Sequence, residues 1–152
     1  MAPDTSYTVP LLINGEEVTT QTTFDVISPS SHKPIWRCSS ASLDHVQTAV
    51  SAAQAAFPAW SNTKPAERRN ILLKAADIFE SRTDEYGSYM REETGAAPPF
   101  TNINLSNTAE MFRDVAGRIS TIMGSIPACR EPGTSALVLK EPLGVILGIA
   151  PW

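Results

Sequence analysis

The stretch GVILGIAPW, residues 144–152, decides the fold. It holds no charged residue, and its apolar side chains do not alternate with polar ones. A run of this kind is typical of a β-strand that is buried on both faces, as in a parallel sheet. Such a strand needs parallel neighbours joined by crossover helices, and the 152 residues supply none after it. We therefore expect an α/β fold in which residues 142–152 form the first strand of a sheet that this chain contains only in part.

A second interpretation of the same stretch remains open. Val145 to Trp152 would then be an antiparallel edge or core strand of the N-terminal part, and the chain would be a complete small domain. The first interpretation is favoured, because an apolar strand left without a partner is an aggregation hazard.

Residues 124–141 predict an extended arm that doubles back on itself. Ile126-Pro127 is followed by the turn residues Glu131 to Thr134 and then by the mostly apolar run 136–140. Proline and glycine favour the reversal, and the apolar run favours an extended second half.

The chain opens with patterns of a small antiparallel unit. Asn14-Gly15 predicts a tight two-residue turn between strands, because both residues accept positive φ angles. Two further short strands are predicted at Phe24 to Ile27 and Ile35 to Ser39, on either side of the turn residues Ser28 to Ser31.

Four helices are predicted between this unit and the arm. Ser42 is expected to cap the first helix and Pro58 to end it. Pro65 lies in the first turn of the second helix, and the third runs from Asp84 to Gly95, which suits the left-handed position after a helix. Pro98-Pro99 then separates the third helix from a long fourth one. The apolar residues of the fourth helix recur at helical spacing and are expected to face the core: Leu105, Ala109, Phe112, Ala116, Ile119 and Met123.

Composition and charge exclude several classes of partner. The 16 acidic and 12 basic residues give a formal net charge of -4 and include no basic run, so nucleic acid and anionic membranes are not expected partners. The N-terminus MAPDTSYTVP lacks the features of a secretory signal, and the longest apolar run is far shorter than the ~20 residues that span a bilayer. We expect a cytoplasmic protein.

Cys38 and Cys129 are expected to be reduced structural thiols, since they lack a CxxC spacing and a secretory signal. A nucleophilic cysteine would want a neighbouring base or a helix N-terminus, and neither has one in the sequence. His32 and His45 have no metal-ligand spacing to each other or to the cysteines. No metal site is predicted.

Several segments, in order along the chain, resemble the aldehyde dehydrogenase superfamily. Residues 140–152 resemble the family's "EPxGV…xxPWN" stretch and stop before its asparagine. Residues 12–16 resemble the opening "xINGE" hairpin, and residues 27–30 resemble the "NPxTG" turn. Three more matches lie in the helical region: residues 52–60 ("AAxxAFxxW"), residues 67–72 ("ERxxxLxxxA") and residues 92–95 ("ExGK").

The resemblance implies a division of the chain and an activity. Residues 1–123 correspond to the N-terminal portion of a cofactor-binding domain, residues 124–141 to a β-arm that bridges subunits of a homo-oligomer, and residues 142–152 to the first strand of the dinucleotide-binding sheet. The family oxidises a small-molecule aldehyde to a carboxylic acid with NAD or NADP, through a thioester on a catalytic cysteine. The cofactor-binding positions implied here are Ile149, Ala150, Pro151 and Trp152, beside the nicotinamide ribose.

No catalytic residue is assigned, because the catalytic cysteine, the glutamate base and the asparagine that binds the oxyanion lie beyond the matched segments. The 152 residues alone are therefore predicted to be inactive. The chain departs from the family pattern at Ser28, where asparagine is usual, and at Ala96-Ala97-Pro98, where Lys-Pro is common. The form Glu-Thr-Gly-Ala-Ala resembles the aromatic-aldehyde branch, which includes salicylaldehyde and vanillin dehydrogenases.

Two other functional hypotheses are kept. The chain would act as a short interaction module that pairs its arm, Ile126 to Glu141, with full-length subunits. Alternatively it would be a small binding protein for an unrelated ligand, if its last strand folds back on the N-terminal hairpin.

Overall fold

The computed structural model describes residues 7–150, which form an α/β fold of short strands followed by helices. The strands are β1 (Thr8–Val9), β2 (Leu11–Ile13), β3 (Glu16–Val18), β4 (Thr23–Ile27) and β5 (Pro34–Ser39). The helices are α1 (Leu43–Ser61), α2 (Pro65–Ser81), α3 (Thr83–Thr94) and α4 (Pro98–Arg118), and a 3-10 turn at Ile119–Thr121 extends the last of them. No helix within residues 7–150 is both long and apolar enough to cross a membrane.

The strands form two small sheets. β2 and β3 pair as the predicted hairpin, and its turn holds Asn14 at φ 54° and Gly15 at φ 81°, so the reason given for this turn is confirmed. β4 and β5 pair antiparallel as expected. Unexpectedly, β1 joins them in parallel, which gives the strand order β1-β5-β4.

Two proline predictions need correction. Pro58 does not end α1, because the helix continues to Ser61. Proline near the end of a helix removes one backbone hydrogen bond and leaves the later ones intact. Pro98-Pro99 does not precede α4 but begins it, since Pro98 is its first residue. Proline lacks a backbone N–H, and in the first turn of a helix this group has no hydrogen-bond partner within the helix, so proline costs little there.

A capping box confirms the predicted start of α1. The Ser42 hydroxyl accepts from the backbone N–H of His45 at 3.4 Å, and the Ser42 N–H donates to Nδ1 of His45 at 3.1 Å. Histidine here takes the place of the glutamate usual in such boxes. Because α1 has no buried residue in the described chain, these local bonds carry much of the stability of its first turn.

Replacement of the cap is expected to destabilise α1 measurably. Ser42→Ala removes the acceptor for an otherwise unsatisfied N–H and should lower the free energy of unfolding by about 1 kcal/mol. Ser51→Ala, at an exposed site inside the same helix, should instead leave stability unchanged or raise it, because alanine is the better helix former. Urea unfolding followed by circular dichroism separates the two. Equal effects would show that Ser42 does not cap the helix.

The core lies between α2 and α4, and α3 also packs against α4. Small residues allow this approach: Ala76 and Ala116 are completely buried, and Ala109 is 1% exposed. Gly87 likewise lets α3 lie close to α4, because a Cβ there would lie 3.3 Å from the Leu105 side chain. The predicted apolar face of α4 is thus confirmed from Leu105 to Ile119. The prediction for Met123 is wrong, because this residue lies after the 3-10 turn and is 70% exposed.

Residues 124–141 double back as predicted. The backbones of Ser125 and Val138 exchange two hydrogen bonds, of 3.0 and 2.8 Å, in an antiparallel bridge. Gly124 has to be glycine, because a Cβ at this position would overlap the carbonyl oxygen of Val138.

Residues 142–150 differ from the expectation. They form no strand in the described chain and are mostly exposed. A strand is stabilised by ladder hydrogen bonds and by side chains packed on its faces, and residues 7–150 offer this segment neither. Its place in a dinucleotide-binding sheet stays a prediction.

Candidate functional site

The proposed cofactor-binding positions lie at the end of the described chain. Ile149 is 85% exposed and Ala150 is also exposed, while Pro151 and Trp152 fall outside the described residues. Ile149 and Ala150 lie outside every helix and strand of the described chain. They could contribute one side of a ligand cleft, and the opposite side would have to be supplied from elsewhere.

Two depressions in the described chain are unsuited to a dinucleotide. A depression of about 290 Å³ lies at the junction of α2 and α3. Its lining holds three carboxylates and one cation, Arg82, so its net charge is negative and repels a pyrophosphate. A second, of about 210 Å³, is lined by Met90, Thr94, Ala96 and Phe100 and is largely apolar. Neither includes Ile149 or Ala150. The second is also smaller than the roughly 300–1,000 Å³ that is usual for small-molecule sites, and the first lies only at the lower limit of that range.

The two cysteines are free thiols in different surroundings. Cys38 is half-buried in β5, and desolvation, with a smaller contribution from the Glu93 carboxylate, raises the pKa of its thiol. Cys129 is exposed on the arm, with its sulfur 3.9 Å from the carbonyl oxygen of Pro127. A nucleophilic cysteine needs surroundings that favour the thiolate, and those of Cys38 oppose it.

Alkylation is expected to distinguish these two thiols. At neutral pH, iodoacetamide should modify Cys129 at least about tenfold faster than Cys38, because Cys129 is accessible and burial disfavours the Cys38 thiolate. Mass spectrometry of digested samples over time measures both rates. Cys129→Ser provides the control, since its remaining label should appear slowly and only on Cys38. Faster labelling of Cys38 would mean that it is activated.

The histidines have structural roles. His32 adopts a positive φ of 55° in the turn before β5, and His45 closes the capping box of α1. Among residues 7–150, no three His, Cys, Asp or Glu side chains are grouped so that they could hold a metal ion.

A junction between the three-stranded sheet and α3 was not predicted from the sequence. The Trp36 indole N–H donates to Oε1 of Glu93 at 2.7 Å, and its ring meets that of Tyr89 edge to face, with centroids 5.7 Å apart. Gly95, in the left-handed position after α3, lies against Pro29, which a Cβ would approach to 3.1 Å. Because these contacts join residues that are far apart in the sequence, no local sequence pattern predicts them.

The departure at Ser28 is accommodated within this junction. Ser28 is completely buried, and its hydroxyl accepts from the N–H of Ser31 at 3.4 Å. Its own N–H donates to the carbonyl of Lys33 at 3.0 Å. Serine and asparagine side chains both accept backbone hydrogen bonds in turns of this kind, so the substitution preserves the turn.

The charged clusters of the helices are structural. Arg113 of α4 bonds to Glu80 at 2.6 Å and to Asp77 at 2.8 Å, both on α2. Arg82 forms two 2.7 Å bonds to Glu85 and lowers the pKa of that carboxyl, with help from the Tyr89 hydroxyl. Each carboxylate here is already paired with a cation and lies at the surface, which is not the environment of a general base.

The arm exposes several apolar side chains. Ile126, Leu137 and Leu139 are between 66% and 78% exposed, although their segment is held in shape by the bridge between Ser125 and Val138. Apolar side chains exposed together on an ordered segment are typical of a surface that contacts another protein.

Comparison with known proteins gives a consistent result. The model of the "Aldehyde dehydrogenase family" matches residues 17–152. The vanillin dehydrogenase of Pseudomonas sp. strain HR199 is 41% identical over 146 residues, which cover 95% of this chain and 30% of that protein.

Solved structures resemble this chain in both fold and sequence. A salicylaldehyde dehydrogenase from Pseudomonas putida G7, complexed with salicylaldehyde, is 30% identical with a TM-score of 0.84, and the match covers 90% of this chain and 29% of that one. An NAD-dependent benzaldehyde dehydrogenase from Corynebacterium glutamicum is 25% identical with a TM-score of 0.76, over 84% and 28% of the two chains. The chain thus spans about 30% of the length of these relatives.

Proposed function

The chain belongs to the aldehyde dehydrogenase family, and from that premise we propose that it is part of an oxidoreductase that converts an aromatic aldehyde to a carboxylic acid. The observation that carries the proposal is the 41% identity to a vanillin dehydrogenase across 95% of this chain. The names of the salicylaldehyde and benzaldehyde dehydrogenases add support, since all three substrates carry the aldehyde on an aromatic ring.

NAD or NADP is the proposed cofactor, with NAD supported by the NAD-dependent benzaldehyde dehydrogenase. Its chemical contribution would be to accept a hydride from the aldehyde carbon. Ile149, Ala150, Pro151 and Trp152 are proposed to lie beside its nicotinamide ribose. Ligands of open α/β sheets bind at the carboxyl ends of the strands, and these four residues end the predicted strand.

We propose that the 152 residues do not catalyse by themselves. In the family resemblance, a cysteine forms a thioester with the substrate, and a backbone or side-chain donor has to stabilise the oxyanion. Cys38 is half-buried, and the pKa of its thiol is raised. Cys129 lies on the arm and has no neighbouring base in the sequence. The residues described thus supply part of the scaffold and one edge of the cleft.

A chimera tests this assignment. Residues 1–152 would replace the matching segment of the Pseudomonas vanillin dehydrogenase, and formation of the carboxylic acid from vanillin would be measured by chromatography with NAD and with NADP. The soluble chimera should be active with NAD, and residues 1–152 alone should show no turnover. Cys38→Ser and Cys129→Ser in the chimera should leave kcat unchanged. A folded, oligomeric chimera without activity would contradict the assignment, as would turnover by residues 1–152 that disappears with Cys129→Ser.

The second candidate function is an interaction module. The exposed apolar residues of the arm favour it, because an extended segment with free backbone groups can add a strand to a partner sheet. Tagged residues 1–152 should then co-purify with a full-length aldehyde dehydrogenase, and Leu137→Asp should abolish the capture. Absence of capture at micromolar concentration would remove the support for this function.

A further inference from the structure

The turn between β2 and β3 holds the one Asn-Gly pair of the sequence, Asn14-Gly15. The other asparagines all precede a residue that carries a side chain: Asn62, Asn70, Asn102, Asn104 and Asn107. A main-chain nitrogen that follows asparagine can attack the side-chain amide carbon and close a cyclic imide. Glycine favours this attack, because it lacks the Cβ that hinders the approach.

The reaction at Asn14 needs only water as a co-reactant. The Gly15 nitrogen bonds to Cγ of Asn14, the bond from Cγ to Nδ2 breaks, and ammonia leaves with the proton that the Gly15 nitrogen gives up. Water then opens the imide. Cleavage of the bond between Cγ and the Gly15 nitrogen gives aspartate, and cleavage at the main-chain carbonyl gives isoaspartate, in which the chain runs through Cγ. No electron is transferred in either step.

The closed hairpin holds Asn14 in a conformation that cannot cyclise. Asn14 has φ 54° and Gly15 has φ 81°, as in a type I′ turn, in which ψ of the first central residue is about +30°. At that ψ the Gly15 nitrogen lies almost opposite Cβ across the Cα–C bond, out of reach of Cγ. Attack requires a large rotation about this bond, which separates the paired residues Ile13 and Glu16.

The hairpin is short, which favours its opening. β2 and β3 pair through three residues each and form a sheet of their own, apart from the sheet β1-β5-β4. A two-stranded hairpin is at best marginally stable by itself. Among the described residues, no atom would lie within 4 Å of a Cβ built at Gly15, so the turn has room to rotate.

We propose that Asn14 is a site of spontaneous deamidation and that opening of the β2–β3 hairpin controls its rate. Aspartate keeps the turn, since Asp-Gly also suits type I′, and adds a negative charge close to Glu16. Isoaspartate adds a methylene group to the main chain, so that Ile13 and Glu16 lose their register. The modification thus makes a reversible opening permanent, and it does not depend on the proposed aldehyde oxidation.

Incubation of residues 1–152 at neutral and at alkaline pH, with and without urea, tests the site. Mass spectrometry of digested samples should show the Asn14 peptide exchanging its amide for a carboxyl and separating into two products of equal mass. Without urea, Asn14 should react at least about tenfold faster than Asn62 or Asn104, because neither of these precedes glycine. The rate should rise with pH, since the attacking nitrogen has to lose its proton. In urea Asn14 should react faster still, by up to about thirtyfold, because a marginal hairpin protects it only in part.

Two variants separate the chemistry from the opening of the hairpin. Asn14→Gly accepts the positive φ and has no side-chain amide, so its turn should stay unmodified. Val18 pairs with Leu11, and Val18→Pro should speed the reaction at least about threefold without urea, because proline removes an N–H from the ladder. The same variant should leave the rate in urea and the helical circular dichroism unchanged.

Three results would overturn the proposal. The first is an Asn14 that stays intact without urea but reacts in urea, since the hairpin would then protect it completely. The second is an equal rate with and without urea, and the third is a rate without urea that Val18→Pro does not change. Either of the last two would show that opening of the hairpin does not control the reaction.

Discussion

Ala76→Asp is expected to abolish the cooperative unfolding transition of the isolated chain. Ala76 is completely buried where α2 meets α4, so an aspartate there would bring a carboxylate between two helices packed through small side chains. An unpaired buried charge and an overpacked contact each cost several kcal/mol. Native domains are only about 5–15 kcal/mol stable, and this substitution removes much of that margin.

Ala55→Asp is the matched control. Ala55 is exposed inside α1, so the same substitution there loses only the helix propensity of alanine, roughly 0.7 kcal/mol. Urea titration followed by circular dichroism at low protein concentration should show a transition for Ala55→Asp close to that of the wild type. A transition for Ala76→Asp at an unchanged urea concentration would mean that α2 and α4 do not form the core of the chain in solution.

Sequence patterns predicted those parts of the fold that depend on local chemistry. The Asn-Gly turn, the serine cap of α1 and the glycine after α3 each act within about four residues, and all three appear where expected. The apolar face of α4 was predictable for the same reason, because helical spacing alone places Leu105, Ala109 and Ala116 on one side.

Contacts between distant residues were not predictable in this way. β1 is two residues long and is held by its parallel pairing with β5, which no pattern within β1 reveals. The hydrogen bond from Trp36 to Glu93 spans 57 residues. Pro58 was misjudged because proline usually ends a helix, whereas near the last turn it costs a single hydrogen bond.

The candidate site was the least predictable part for a different reason. Its four residues were inferred from a resemblance to a family motif, and the structure describes only two of them, both exposed. A cleft is made by residues from several strands and loops, so one strand cannot reveal which side chains face the ligand. The arm, in contrast, is recognisable from its own turn residues and from the bridge it forms.

Ile149→Asp is expected to have a small effect on the isolated chain and a large one on the chimera. In the isolated chain Ile149 is 85% exposed, so the charge remains in water and the free energy of unfolding should change by less than about 0.5 kcal/mol. In the chimera with the vanillin dehydrogenase, we expect the proposed strand to be covered on both faces. There the same carboxylate would be buried beside the cofactor cleft at a cost of several kcal/mol.

The chimera carrying Ile149→Asp should therefore lose at least about a hundredfold in kcat/KM, which corresponds to some 2.7 kcal/mol, or fail to assemble. Ile149→Val keeps the position apolar and should cost no more than about 1.5 kcal/mol of stability, with activity retained. Steady-state kinetics and size-exclusion chromatography on both variants measure the difference. If Ile149→Asp left both the activity and the assembly of the chimera intact, residue 149 would be exposed in the whole enzyme as well. Residues 142–152 would then not be a central strand, and the cofactor cleft would have to be built by other parts of the chain.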